Sequence, residues 1–205
     1  MSICLILAGV LLLGVAPASA STPLDIAGAY HDSIKFERYG RYDAAITALM
    51  PVYQRYPHGY TVNLRLGWLF YLEGRYRNSI SHYERAVAAS PNSVEALLGL
   101  SLPYMAERKW GEVEKIMYRI LRVDFYNFYA NQRLIMALRW QKKYPQAEAV
   151  LRKMATLYPA NPWLLRQLAV VLCLEGAEKR ARAVWRDYTT LVPEKVSAPR
   201  CLARP

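Results

Sequence analysis

Pro57, Pro91, Pro159 and Pro193 share one register, with Phe125 as the single substitute, and each of the five positions lies 34 residues from the next. A fixed period of this length marks stacked helical hairpins, in which each unit buries its apolar face on its neighbours. It constrains the fold before any single residue is weighed, and it makes protein binding the default activity. Each unit touches only its neighbours in such an array, so 205 residues at 54% hydrophobic content build a core without forming one globule. Gly and Pro gather at the joints between units, as an array requires.

Stepping along the chain by this period gives units 26–59, 60–93, 94–127, 128–161 and 162–195. In the second unit, Leu66, Gly67 and Phe70 share one face at helical spacing, and Tyr76, Ser79, Tyr83 and Ala86 share another. Glu73-Gly74-Arg75 separates the two helices, with Gly74 free to take the left-handed cap. A small residue recurs in the first helix as Ser33, Gly67, Ser101 and Ala169, with Ile135 departing. Its large neighbour recurs as Phe36, Phe70, Tyr104, Leu138 and Leu172. The turn glycine is Gly40, Gly74 and Gly176, replaced by Arg108 and Lys142 in the middle units. Tyr42, Tyr76, Trp110 and Tyr144 open the second helices, and Glu178 replaces the aromatic in the fifth unit. The small residue that follows is Ala45, Ser79, Ala147 and Ala181, with Val113 the exception; small side chains there let antiparallel helices approach closely.

These columns resemble the tetratricopeptide repeat over essentially all of residues 26–195. The resemblance implies a right-handed, all-α solenoid of five antiparallel helix pairs. It also implies a concave groove lined by the first helices. Unit one offers Tyr30, Ile34 and Glu37 to it, unit two Leu64, Trp68 and Tyr71, and unit three Leu98, Leu102 and Met105. Unit four supplies Tyr129, Gln132, Met136 and Arg139, and unit five Trp163, Arg166 and Val170. Aromatic and Arg side chains supply most hot-spot energy, so this stripe suits an extended peptide or an amphipathic helix. The alternative is that these large residues pack across neighbouring units and leave little groove. The chaperone-tail clamp of the family needs Lys, Asn, Asn, Lys and Arg at places held here by Leu64, Trp68, Gly99, Tyr129 and Arg133. Only Arg133 matches, so that ligand is not expected.

Boundary residues point the same way. Asn92 with Glu95 reads as a capping box for unit three, and Asn161-Pro162 and Thr22-Pro23 read as cap and first-turn proline of units five and one. Pro103 and Pro51 fall inside helices and are expected to bend them. Val196–Pro205 has two prolines in its last seven residues and little helical potential, so it is expected to be an unstructured tail. Val184, Trp185, Tyr188 and Leu191 are then expected to lie partly open, as an uncapped edge for self-association.

The first twenty residues carry no charged side chain, an apolar run from Ile3 to Val15, and Ala18-Ser19-Ala20 as a small-x-small pattern. This reads as a signal peptide cleaved after Ala20, although no Lys or Arg precedes the run. Cleavage leaves a solenoid beginning near residue 21 in the periplasm or outside the cell. An uncleaved anchor is the competing reading, against which Pro17 and the short span count. Export leaves Cys173 and Cys201; a bridge between them is permissible, but a helical Cys173 and a loose Cys201 favour a small buried residue and an idle thiol.

Charge is lopsided. Residues 21–127 carry a net +2, whereas residues 128–205 carry 14 Lys+Arg against 5 Asp+Glu, a net +9. A basic half attracts polyanions. In an exported protein these are an anionic polysaccharide, a lipid surface or an acidic partner. Nucleic acid is set aside, because no recognition module is visible and export removes the chain from it. His31, His58 and His82 lie far apart in sequence, and neither H-E-x-x-H, G-x-S-x-G nor a phosphate-binding glycine loop occurs. His82 reads as an ordinary surface residue of a second helix. No enzyme, cofactor or metal site is expected. The sequence therefore describes a non-catalytic scaffold of the cell envelope that docks a partner segment in its groove. The alternative is a charge-driven binder of an anionic envelope polymer, or an accessory subunit of export machinery, acting through the basic half.

Overall fold

The computed structural model describes residues 24–192, 196–199, 201 and 202. The leader at 1–20 and the Thr22-Pro23 pair lie outside them. Among the described residues all ten elements are α-helices: α1 (Ile26–Arg38), α2 (Tyr42–Arg55), α3 (Tyr60–Leu72), α4 (Tyr76–Ala89), α5 (Val94–Ala106), α6 (Trp110–Val123), α7 (Phe128–Trp140), α8 (Tyr144–Leu157), α9 (Pro162–Leu174) and α10 (Glu178–Leu191). First helices begin at residues 26, 60, 94, 128 and 162, and second helices at 42, 76, 110, 144 and 178. The 34-residue step thus holds through every helix. Each helix packs on the next, and α3 also meets α5, the pattern of an α-solenoid.

The hairpin turn is a Schellman motif repeated five times. Arg41, Arg75, Lys109, Lys143 and Ala177 each donate a backbone N–H to the carbonyl of the large apolar residue five back: Phe36, Phe70, Tyr104, Leu138 and Leu172. The residue before each donor is left-handed, with φ of 68° at Gly40, 78° at Gly74 and 77° at Gly176. Arg108 and Lys142 hold the same conformation at 56° and 59°, although they carry Cβ atoms. The cation after the turn covers the ring that closes it. Arg41 lies over Phe36 at 5.0 Å, Arg75 over Phe70 at 4.6 Å and Lys109 over Tyr104 at 5.9 Å. In unit four Leu138 offers no ring, and Lys143 turns to Glu114 of the previous unit at 2.8 Å.

Both small-residue columns lie in the helix interfaces, with Ser33, Ser101, Ile135 and Ala169, then Ala45, Ser79, Val113, Ala147 and Ala181, all fully buried. Ile135 and Val113, the two departures in sequence, are buried like the rest. Ser79 satisfies its hydroxyl on the Gly67 carbonyl at 2.7 Å.

Asn161 caps α9 as expected, accepting from the Leu164 N–H. The other two caps need correction. Ser93, not Asn92, caps α5 through the Ala96 N–H, and Glu95 instead accepts from the Tyr60 hydroxyl at 3.0 Å. The reason is register: α5 starts at Val94, which leaves Asn92 a residue too early. Asp25, one residue before α1, caps that helix through the Gly28 N–H. Pro51 and Pro103 both sit inside helices that continue past them.

His82 is not an ordinary surface residue. Its ring stacks on Phe70 at 5.2 Å, meets Tyr53 edge-on at 5.1 Å, and bonds Asn63 through Nδ1 at 2.9 Å. Asn63 is fully buried and spends its amide N–H groups on the carbonyls of Pro57 and Gly59. Its side-chain oxygen therefore faces the imidazole, which must carry its proton on Nδ1. Burial, and secondarily Arg85, push the His82 pKa down to about 4.

The C-terminal segment also departs from expectation. Cys173 of α9 and Cys201 are disulfide-bonded, with Cα atoms 5.8 Å apart, a normal span for such a bond. The reading of Cys201 as an idle thiol fails because Leu202 packs on the core beside Cys173 and brings Cys201 with it. The edge is therefore partly covered by this segment and remains partly open, as expected, except at Tyr188. Tyr188 is buried and Val184 and Trp185 are partly buried, while Leu191 remains 43% exposed.

Candidate functional site: the inner groove

A cavity of about 480 Å³ opens between the first helices of units one to four. Tyr30 and Ile34 of α1, Leu64 and Trp68 of α3, and Leu98 and Leu102 of α5 form its apolar walls. Arg65, Arg133, Glu95 and Thr61 supply its polar rim. Its depth has a steric cause. Tyr83 of α4 reaches between α3 and α5 to line the cavity, and only glycine permits this at Gly67 and Gly99. A Cβ would stand 2.8 Å from the Tyr83 ring at Gly67 and 2.2 Å from it at Gly99.

The polar groups divide into paired and unpaired sets. Glu37 accepts from Trp68 Nε1 at 2.7 Å and pairs with Arg65 at 2.5 Å, which fixes the indole against the wall. Arg133 donates to the Leu98 carbonyl at 2.5 Å and to Ser101 Oγ at 2.6 Å, so it ties α7 to α5. Burial pushes the Arg133 guanidinium down, opposed by Tyr71 and Tyr83. No carboxylate pairs with it among the described residues. Farther along, Arg139 donates to Gln167 at 2.5 Å and is pushed down by burial, then by neighbouring Arg166. Neither Arg139 nor Arg166 has an acidic partner among the described residues. The cavity walls are thus apolar through units one to three, and Arg139 and Arg166 stand on the first helices of units four and five, beyond the residues that line it.

Of the residues that sequence places in the groove, Tyr30, Ile34, Leu64, Trp68, Leu98 and Leu102 converge on the cavity. Tyr71 stands beside it, 5.7 Å from Trp68 between ring centres. Met105 and Trp163 do not line the cavity and pack on the core, and Tyr129 is 61% exposed against the edge of Phe128. Met136 is half-buried. Arg65 and Tyr83 are absent from the sequence-derived groove. Tyr83 is signalled by the pair Gly67 and Gly99, one on each neighbouring first helix, which together leave a slot the width of a ring. Among the described residues no cluster of His, Cys, Asp or Glu is arranged to hold a metal ion, and no helix is long and apolar enough to cross a membrane.

Ten helices in fixed 34-residue register around an inner groove define an α-solenoid built from helical hairpins. The family profile described as "Tetratricopeptide repeat" matches residues 36–102, and the helices on either side keep the same period. Solved structures of MamA share the fold. One matches with a TM-score of 0.73 at 16% identity over 83% of this chain and 96% of that one. MamA AMB-1 matches with a TM-score of 0.70 at 22% identity, covering 89% of this chain and all of its own. MamA from Desulfovibrio magneticus RS-1 matches with a TM-score of 0.73 at 13% identity, over 82% of this chain and 96% of its own. The sequence matches no curated protein. Repeat and fold together support a protein-interaction scaffold in general terms.

Proposed function

We propose that this chain is a non-catalytic scaffold of the cell envelope whose inner groove docks one apolar segment bearing acidic residues. The observation that carries the reading is the cavity of about 480 Å³ walled by Leu64, Trp68, Leu98 and Leu102. Arg139 and Arg166, without acidic partners among the described residues, stand on the first helices of the two units that follow. An apolar body seats in units one to three, and carboxylates on the same segment offset the cations of units four and five. The apolar leader at 1–20 supports export, and a disulfide at Cys173–Cys201 agrees with an oxidising compartment.

The test is photo-crosslinking in cells from Ile34, which is 42% exposed on the cavity rim, with mass spectrometry of the captured neighbour. Trp68→Ala with Leu102→Ala is expected to cut capture about tenfold or more, the scale of a lost anchor pair. The helical circular dichroism signal is expected to stay near wild type. Unchanged capture would remove the groove from the argument. The basic half supports a second reading, an anionic envelope polymer held by residues 128–205, whose net charge is +9. Polymer binding collapses with rising salt, whereas docking in the apolar cavity fades only partly.

A further inference from the structure

Register gives the segment after α10 an identity. Leu202 stands one period after Leu168, in the column of Leu66, Leu100, Leu134 and Leu168, all of which are buried. Ala198 stands in the column of Val62, Ala96, Ala130 and Leu164, which are buried as well. In the structure Leu202 packs on the core, and Ala198 and Leu202 face Trp185 across a cleft of about 560 Å³ rimmed by Lys179, Arg182 and Arg186. Residues 196–199, 201 and 202 therefore occupy the place of a sixth first helix, and none of them is helical. The hold is weak apart from the covalent bond. Leu202 N donates to Pro199 O at 2.8 Å within the segment, and among the described residues no hydrogen bond joins it to α9 or α10.

We infer that residues 196–202 are a cap latched by the Cys173–Cys201 disulfide, and that unlatching opens the α10 edge to an acidic amphipathic helix. Attack by a dithiol reductant breaks the S–S bond. Two electrons and two protons end on Cys173 and Cys201 as thiols, and the reductant leaves as its own disulfide. The edge then presents Val184 and Trp185 ringed by Lys179, Arg182 and Arg186. Every earlier second helix packs on the first helix of the next unit, so a helix is the shape this edge accepts. The three cations select acidic residues at its margins. They also oppose the pairing of two such edges, because each copy would bring the same charges.

The probe is a synthetic 13-residue helix, the length of α9, with leucines in the register of Leu164, Leu168, Val171 and Leu172 and glutamates elsewhere. Its binding to the air-oxidised protein, the dithiothreitol-reduced protein and Cys201→Ser is read by fluorescence anisotropy. Affinity about tenfold or more above that of the oxidised form is expected for the other two. The gain is expected to vanish when Arg182→Glu and Arg186→Glu are added to Cys201→Ser. Helical circular dichroism of each variant shows that the solenoid persists. Two free thiols in the air-oxidised protein, or equal affinity in both redox forms, would overturn the latch. Failure of the reduced form to bind the peptide would overturn the helix assignment. A dimer formed by the reduced protein in light scattering would also overturn it, giving the edge to a second copy.

Discussion

At the scale of single residues, two residues hold positions that composition gives no hint of. His82 is neutral in the fold because burial and Arg85 disfavour its charged form. Its pKa falls from 6.5 in the open chain to about 4, so between those values the unfolded state binds a proton that the folded state refuses. Stability is therefore expected to drop as pH is lowered through that window, and urea midpoints at pH 7, 5.5 and 4.5 would show it. His82→Gln, which keeps a donor for Asn63 and loses the titration, is expected to flatten the slope. A slope unchanged in this variant would assign it to other groups. Gly99 is the second case. Gly99→Ala forces a methyl to within 2.2 Å of the Tyr83 ring, and overpacking of this kind costs about 1–3 kcal/mol. Urea unfolding measures it, and combined with Tyr83→Leu the two changes are expected to cost less than their sum. Strict additivity would mean that the ring and Gly99 are not in contact.

At the scale of helices and turns, the 34-residue period made nearly all of the helical framework legible, because each hairpin repeats its own closing chemistry. Gly40, Gly74 and Gly176 announce a left-handed turn. The equivalence of Arg108 and Lys142 to them follows only from register, since neither residue favours positive φ. Replacing either with glycine removes the Cβ penalty and adds back some chain entropy, so a net gain of about 0.5–1 kcal/mol is expected. Thermal melts of Arg108→Gly and Lys142→Gly check this, and a loss in both would mean that the side chains anchor the turn. The capping of α5 was not legible, because Asn92 and Ser93 are both good caps and the choice depends on a one-residue shift. The inward turn of Tyr83 and the burial of His82 depend on neighbouring units, which a helical pattern does not encode. The C-terminal segment was misjudged for another reason. Pro199 removes its helical signal, yet Ala198 and Leu202 keep the repeat register and are partly buried, with Leu202 packed on the core.

At the scale of the whole molecule, the buried residues form two clusters that meet at Trp68, which packs on both. Ala45, Ile46, Leu49 and Val52 of unit one cluster with Val62, Leu66, Leu69 and Phe70 of α3. A second cluster runs from Tyr83 of α4 to Ala181 of α10. The outer face of α1 carries Asp32 and Lys35 in the register of Leu66 and Leu69, a polar surface suited to an edge that packs on no other described residues. Unit one is thus held from one side only, whereas units three and four are held from both. Stability in such an array is a sum of unit and interface contributions, so the ends open before the middle. Native-state hydrogen exchange is expected to show weaker protection in α1 and α2 than in α5 to α8. Leu49→Ala sharpens the test. Leu49 is fully buried, and its truncation costs about 2–5 kcal/mol. The loss is expected to fall on the amides of α1 to α3 and to leave those of α7 and α8 near their wild-type rates. Uniform loss of protection along the chain would mean that the ten helices open as one cooperative body, with the groove melting together with its ends.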